Sequence, residues 1–205
     1  MRHATEVFSE WALRGKDEGM QKNHLPAVSE MLNHLTKDVQ SPFSFIDAGC
    51  GNGWVVRMMN KHPLCEFALG VDGADDMIRK AKSVDRNGHY VCADLLEWKP
   101  EKKVDLIHSM EVFYYFQNPD EIIQHISQNW LKPGGRMIMG IDFYFEHERS
   151  HSWPTDVGTP MTLLKEAEWV TLFEKHGFSN IRNFRSNQSE EFPGTCIIVG
   201  DLNSA

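Results

Sequence analysis

The sequence predicts an α/β fold, a doubly wound and mostly parallel sheet of seven strands with helices on both faces. Two observations carry this prediction. From residue 42 to 142, short apolar runs alternate with segments of helical periodicity, which is the pattern of successive βαβ units. The last two apolar runs follow each other without a helix, which predicts an antiparallel C-terminal hairpin.

The composition is that of an ordinary globular protein. The chain has 205 residues with 41% hydrophobic and 24% charged side chains, which fits a single domain. Its formal net charge is −8, which argues against nucleic acid as a partner. No run of roughly 18 apolar residues predicts a membrane span, and the N-terminus lacks the apolar core of a secretory signal. The four scattered cysteines predict reduced thiols and a cytoplasmic protein.

The chain opens with a helical segment over residues 4–38. In its second part, apolar side chains recur at three- and four-residue steps and form one helix face. Gly15 and Gly19 lie in the first part and weaken the helix there. The apolar face consists of Leu25, Val28, Leu32, Leu35 and Val39.

Five predicted strands and three helices follow in alternation. In the helix DDMIRKAKSV, acids come in the first turn and bases later, as the helix dipole favours. LKPGG before the fifth strand predicts a turn. The strands are predicted over 42–51, 67–73, 89–95, 104–112 and 136–144, and the helices over 54–62, 75–84 and 119–131. A last helix over 163–178 and strands over 179–187 and 194–202 close the chain.

The strongest motif is FIDAGCGNG, residues 45–53, where the first strand ends. Its alternate glycines let the backbone turn sharply and approach a ligand closely. A dinucleotide loop has a sixth-position glycine, but Trp54 follows Gly49 and Val56 follows Gly51 at that spacing. Asp47 would add negative charge beside a pyrophosphate, whereas it can receive the ammonium of S-adenosylmethionine (SAM). The motif therefore favours SAM over NAD.

Two further acids end the second and third strands. Asp72 comes about 20 residues after the glycines, where an acid accepts hydrogen bonds from a ribose diol in either cofactor. Asp94 can accept the adenine amino group, and Leu95 offers a backbone N–H to the ring. The alternative for both acids is a helix cap.

In this order, DAGCGNG, GVDG, CADL, VDLIHSMEVFYYF and LKPGGRMIM resemble the motifs of class I SAM-dependent methyltransferases, which have a Rossmann-like fold. The resemblance covers roughly residues 42–142 and is closest to the small-molecule branch with the ubiquinone/menaquinone-type enzymes. SMEVFYYF replaces the Asn/Asp-Pro-Pro-aromatic signature of enzymes that methylate nucleobase amino groups, which counts against that activity.

The resemblance implies methyl transfer from SAM to a small molecule, with S-adenosylhomocysteine as product, in a monomer or homodimer. The acceptor atom stays open among O, N, S and C. A non-catalytic SAM-binding or partner-activating module and an NAD-dependent oxidoreductase stay as alternatives. The residues expected to bind the cofactor are Asp47, Gly49, Cys50, Gly51, Asn52, Gly53, Asp72, Gly73, Met77, Asp94, Leu95, Ser109 and Met110.

Three residues are candidates for catalysis: Glu111 and Tyr114 beside the fourth strand, and His147. Each has an alternative. Glu111 can be solvated or contact the SAM amino group, Tyr114 can lie in the core or line the pocket wall, and His147 can be an ordinary surface histidine. Ser109 can likewise be a packed strand end. His147 and His151 have helical metal-ligand spacing, but their segment reads as loop and no third ligand is obvious, so no metal site is predicted.

Four regions follow along the chain. We expect residues 1–40 to form a helical lid and residues 42–142 to form the SAM-binding core. Residues 143–160 are long for a loop, and such loops are commonly functional. The resemblance implies that this loop lies over the acceptor site. Residues 161–205 supply the closing helix and hairpin.

Overall fold

Seven strands form one sheet in the computed structural model, which describes residues 1–204. The strands are β1 (Phe43–Ala48), β2 (Cys65–Asp72), β3 (His89–Cys92), β4 (Val104–Met110), β5 (Leu131–Ile141), β6 (Phe178–Ser186) and β7 (Thr195–Leu202). The helices are α1 (Ala4–Leu13), α2 (Lys16–Thr36), α3 (Trp54–Met59), α4 (Asp75–Val84), α5 (Pro119–Asn129) and α6 (Glu166–Lys175).

The sheet has the strand order β3-β2-β1-β4-β5-β7-β6. The pairs among β1 to β5 are parallel, and β7 runs antiparallel to both β5 and β6. The predicted α/β fold and the C-terminal hairpin are therefore confirmed. The strand order reverses between β1 and β4, and ligands of open α/β sheets bind at the carboxyl ends of the strands on either side of such a reversal.

Apolar side chains are buried on both faces of the sheet, because parallel strands are covered by their crossover helices. One core includes Trp130, Trp169 and Phe173, where α5 and α6 pack. The opposite core includes Met31 of α2 and Val56 of α3. Among the helices of residues 1–204, none is both long and apolar enough to cross a membrane.

The predicted N-terminal helix is two helices. The break falls at Gly15, whose φ of 71° lies in the left-handed region that glycine adopts without steric cost. Gly19, by contrast, lies within α2, and its φ is not in the left-handed region. α1 then packs against α4, with Phe8 beside Ala74 and Met77.

The turn predicted at LKPGG lies inside the bounds of β5. Leu131 pairs with Val104 and the next pair joins Arg136 to Leu106, so residues 132–135 bulge out of the ladder. Gly134 has a φ of 77° within this bulge. The segment 143–160 is also more ordered than a loop, since it contains short helical turns at Glu148–Ser150 and Pro154–Gly158.

Candidate active site

A cavity of about 760 Å³ lies at the carboxyl ends of the central strands. Its floor includes the ends of β1, β2 and β4, as the reversal of strand order leads one to expect. Its roof comes from the N-terminal helices: Thr5 and Phe8 of α1, and Met20, Gln21 and His24 of α2. The volume lies within the roughly 300–1,000 Å³ that small-molecule sites have.

The glycine-rich loop forms one wall of the cavity. Gly49 has a φ of 77°, and a Cβ there would lie 2.2 Å from Val112 Cγ2, so only glycine fits. The Gly49 and Cys50 N–H groups both donate to the Val71 carbonyl, at 2.8 and 3.0 Å, which ties the loop to β2. A Cβ at Gly51 would meet only Met77 Sδ at 3.9 Å, so this backbone faces open cavity.

Asp72 presents a partly buried carboxylate beside this loop. Its Oδ2 accepts the Gly51 N–H at 2.8 Å, and its Oδ1 accepts the Ala74 N–H at 2.7 Å. Burial raises the pKa of Asp72 to about 6, against the two backbone hydrogen bonds, which lower it. Because each carboxylate oxygen has a second lone pair, the group can hold the loop and α4 and still accept ribose hydroxyls.

Apolar side chains flank the expected adenine position. Met77 and Leu95 are buried and line the cavity together with Phe8. Asp94 also lines the cavity but is exposed, and its Oδ1 accepts the Leu96 N–H at 2.8 Å. The position of Asp94 suits the predicted adenine contact, while its hydrogen bond also gives it the turn-capping role that the sequence left open.

Asp47 is paired with a histidine that the sequence interpretation gave no role. His108 lies beside it in the β1–β4 register, and His108 Nδ1 is 2.7 Å from Asp47 Oδ1. Both side chains are buried and both residues line the cavity. The other ring nitrogen, His108 Nε2, has no hydrogen-bond partner within residues 1–204. This pair offers an acceptor and a donor to the zwitterionic methionine end of SAM.

Asp17, an acid that the sequence interpretation gave no role, joins the roof to the glycine-rich loop. It is 4% exposed, accepts the Asn52 Nδ2–H at 2.7 Å and accepts a hydrogen bond from Lys80 Nζ at 2.8 Å. These contacts join α2 to the glycine-rich loop and to α4. A buried acid outside every motif could not be assigned from its local sequence.

Glu111 lines the same cavity just after β4 ends. Its φ of 61° is left-handed, a conformation that non-glycine residues adopt mainly where the surroundings impose it. Its carboxylate accepts hydrogen bonds from the Tyr114 hydroxyl, at 2.8 Å, and from the Asp142 N–H. Burial raises the pKa of Glu111 to about 8, and the nearby Asp142 charge adds to this effect.

The structure brings most of the predicted site residues to the cavity. Gly53 and Ser109 do not line it: a Cβ at Gly53 would lie 2.3 Å from the Tyr90 ring, and Ser109 Oγ donates to Ala48 O at 2.8 Å. The predicted residues that line the cavity are Asp47, Gly49, Cys50, Gly51, Asn52, Asp72, Gly73, Met77, Asp94, Leu95, Met110 and Glu111.

Two predicted catalytic residues lie behind the cavity wall. Tyr114 is 1% exposed and contacts the cavity only through Glu111 and Tyr115. His147 is buried with Nδ1 2.7 Å from the Asp142 carbonyl oxygen, and its ring packs against Trp153. From segment 143–160, only Thr159 and Pro160 reach the cavity lining. The geometry gives His147 no access to an acceptor, so its catalytic role stays a prediction without support.

The fold and this site together define a class I SAM-dependent methyltransferase. The residues present fit the cofactor, because open backbone at Gly51, the unpaired His108 Nε2 and the acid Asp72 surround one cavity. The chain belongs to the family described as "Methyltransferase domain", which matches residues 9–183.

Similar proteins agree with this family. Malonyl-[acyl-carrier protein] O-methyltransferase 2 of Ilyobacter polytropus is 29% identical over 150 residues, covering 70% of this chain and 56% of that protein. This chain therefore spans little more than half the length of that relative. The methyltransferase in the Trm112 activator complex of Haloferax volcanii has a TM-score of 0.84 at 22% identity, with 99% of both chains covered. N-methyltransferase NodS of Bradyrhizobium japonicum, solved with S-adenosylhomocysteine, has a TM-score of 0.66 at 16% identity, covering 85% of this chain and 84% of NodS.

Proposed function

We propose that this chain transfers the methyl group of SAM to a small-molecule acceptor inside the roofed cavity. The observation that carries the proposal is the continuity of one cavity from the glycine-rich loop to a second end lined by Glu111, Tyr115 and Phe116. The first end suits the cofactor, and the second leaves room for an acceptor next to it.

The roof supports a small acceptor. α1 packs on α4, and the Arg2 N–H donates to the Gly158 carbonyl at 2.9 Å, which joins the N-terminus to segment 143–160. An acceptor must therefore fit beneath α1 and α2 or reach in as a narrow extension. A folded macromolecular surface could not enter such a site without displacing both helices.

When bound, SAM supplies a sulfonium methyl that is transferred by in-line displacement, with a neutral thioether as leaving group. The protein residues hold the two reactants in line and exclude water, and such positioning is worth roughly 7–11 kcal/mol of the barrier. Asp72 orients the ribose, Asp47 and His108 orient the methionine end, and Glu111 presents a carboxylate to the acceptor end.

Two opposing observations bear on the chemical class of the acceptor. The malonyl group named in the Ilyobacter relative carries a carboxylate and supports an oxygen acceptor. The buried acids Glu111 and Asp142, however, offer no counter-charge to an anion placed directly against them, even though the pKa of about 8 leaves Glu111 largely protonated at neutral pH. An anionic acceptor thus needs a positive charge between itself and this pair.

The test is incorporation of label from methyl-labelled SAM by the full chain incubated with a cell extract separated by size. We expect labelled product in the low-molecular-mass fraction and none without the chain. Label confined to protein or nucleic acid would contradict the small-molecule proposal. The Lys102→Ala variant, altered in an exposed loop away from the cavity, is a control that should match the parent.

A second candidate is a methyltransferase that requires a protein activator. It is favoured by the match in length and fold to the methyltransferase of the Trm112 complex. In that case the chain alone would bind SAM but release no S-adenosylhomocysteine until the protein fraction of the extract is added. Turnover by the chain alone with the small-molecule fraction would rule it out.

A further inference from the structure

Three potential ligand side chains from separate elements converge at the acceptor end. His24 comes from α2, Glu111 follows β4 and Asp142 follows β5. β4 and β5 are parallel neighbours, so their carboxyl ends lie side by side, and α2 packs across both. One ligand atom of each residue lies within 4.8 Å of the other two.

The hydrogen bonding of this cluster is incomplete. Asp142 is 8% exposed, yet its Oδ1 has no hydrogen-bond partner in the part of the chain that the structure describes. Its Oδ2 is 3.6 Å from His24 Nε2, which is longer than a hydrogen bond. A buried carboxylate oxygen without a partner costs free energy, so it points to a missing ligand.

Glu111 has the environment of a ligating carboxylate. The Tyr114 hydroxyl and the Asp142 N–H each donate a hydrogen bond to one of its oxygens. Carboxylates that bind metal ions are commonly held in place by such hydrogen bonds from neighbouring groups. Each oxygen keeps a lone pair that those bonds do not use.

We propose that His24, Glu111 and Asp142 bind a divalent metal cation. One imidazole and two carboxylates form a donor set that suits ions such as Mn²⁺, and three protein ligands leave positions open for acceptor and water. Ligand bonds of about 2.0–2.2 Å place two ligands of one ion at most about 4.4 Å apart. The observed spacing therefore needs only small side-chain rotations to close on an ion.

This site was not predicted from the sequence, which pointed to no metal and examined His147 and His151 instead. No local motif joins a helix residue to two strand ends, so only the fold brings the three together. The role of the ion rests on the proposed function: it would hold an acceptor oxygen beside the methyl donor and offset the repulsion by the acid pair. With the ion bound, Glu111 is a metal ligand and not a free base.

The experiment is a titration of the full chain with Mn²⁺ after treatment with a chelator, with free Mn²⁺ followed by electron paramagnetic resonance. We expect one Mn²⁺ per chain. Asp142→Asn and Glu111→Gln should each weaken binding at least about 100-fold, because loss of a ligand costs more than loss of its outer partner. Asp120→Asn is the matched control, since that carboxylate pairs with His176 away from the cavity, and it should bind Mn²⁺ like the parent.

Absence of Mn²⁺ binding by the parent chain would overturn the site and indicate that His24 neutralises the acids by itself. Binding that survives Asp142→Asn would also overturn it. His24→Gln, altered on the half-buried face of α2 that roofs the cavity, is a further variant and should weaken Mn²⁺ binding even if Asp142→Asn fails to fold. Thermal stabilisation of the parent chain by S-adenosylhomocysteine, measured without Mn²⁺, separates this failure from a failure of the methyltransferase proposal, because it reports cofactor binding whether or not an ion is bound.

Discussion

At the scale of single residues, the charge of the cofactor site depends on Asp72. Its carboxylate accepts hydrogen bonds from two backbone N–H groups, and burial raises its pKa from 3.8 to about 6. The native state therefore binds this proton more tightly than the unfolded chain. Without ligand, this group makes the free energy of unfolding fall as the pH rises from about 4 to about 6.

SAM binding should show the opposite pH dependence. The ionised Asp72 accepts ribose hydroxyls, so affinity should rise as the pH increases through about 6 and level off above it. Asp72→Asn should weaken binding about 10- to 100-fold at pH 7.5, the effect of losing a hydrogen bond to a charged group of about 1.5–3 kcal/mol. Isothermal titration calorimetry between pH 5 and pH 8 measures both effects.

Asp75→Asn is the control for this prediction. Asp75 lies three residues further on, in the first turn of α4, but pairs with Arg79 and does not line the cavity. It should bind SAM like the parent at each pH. An Asp72→Asn variant that keeps the parent's affinity and pH dependence would remove the ribose role from Asp72.

Single residues also differ in whether their role in the site could be predicted from the sequence. Asp47 and Asp72 could be found because each follows a strand at a recognisable spacing. His108, by contrast, is identified only through its strand register with Asp47. Asp17 and Asp142 contribute through tertiary contacts alone, since their neighbours in sequence carry no signal for a site.

At the scale of elements, the roof is the part whose motion matters. α1 and α2 meet at the left-handed Gly15, between the exposed Arg14 and Lys16. α1 reaches the cavity through Thr5 and Phe8, so a bound ligand contacts the roof from below. Residues of α1 and α2 thus line the cavity, and their action as a lid that opens stays a prediction.

Trypsin tests this opening at Arg14 and Lys16. Saturation with S-adenosylhomocysteine at 100 times its dissociation constant stabilises the closed state by about 2.7 kcal/mol. Cleavage at these two sites should slow by up to about 100-fold if they become accessible only after opening. Cleavage after Lys102 and Lys103, in an exposed loop away from the cavity, should not change. Equal rates at Arg14 with and without ligand would contradict a lid.

Strands and helices were predictable because periodicity and turn residues act locally. The helix over 75–84 was predicted with its observed bounds, and the hairpin of β6 and β7 was predicted from the missing helix. The break at Gly15 and the bulge at 132–135 differ from the prediction. A glycine or proline signals an irregularity locally, but tertiary packing decides whether it becomes a helix break, a turn or a bulge. We expected a helical lid from residues 1–40, but the packing of α1 against α4 that positions it had no local signal.

At the scale of the whole molecule, the strand order places the switch point, the glycine-rich loop and the acceptor end around one cavity. Membership of the methyltransferase family accounts for the cofactor-binding residues. The roof supports the proposal of a small acceptor, and the cluster of His24, Glu111 and Asp142 supports the proposal of a metal ion beside it. The proposed methyl transfer and the role proposed for the metal ion both depend first on the cavity binding SAM.

Thermal unfolding of the parent chain with SAM, S-adenosylhomocysteine and NAD in parallel tests that claim most directly. At 100 times its dissociation constant a ligand adds about 2.7 kcal/mol, which for a chain of this size raises the midpoint by roughly 5–10 °C. We expect this increase with both adenosyl compounds and none with NAD. An increase with NAD alone, or no increase with either adenosyl compound, would contradict the account.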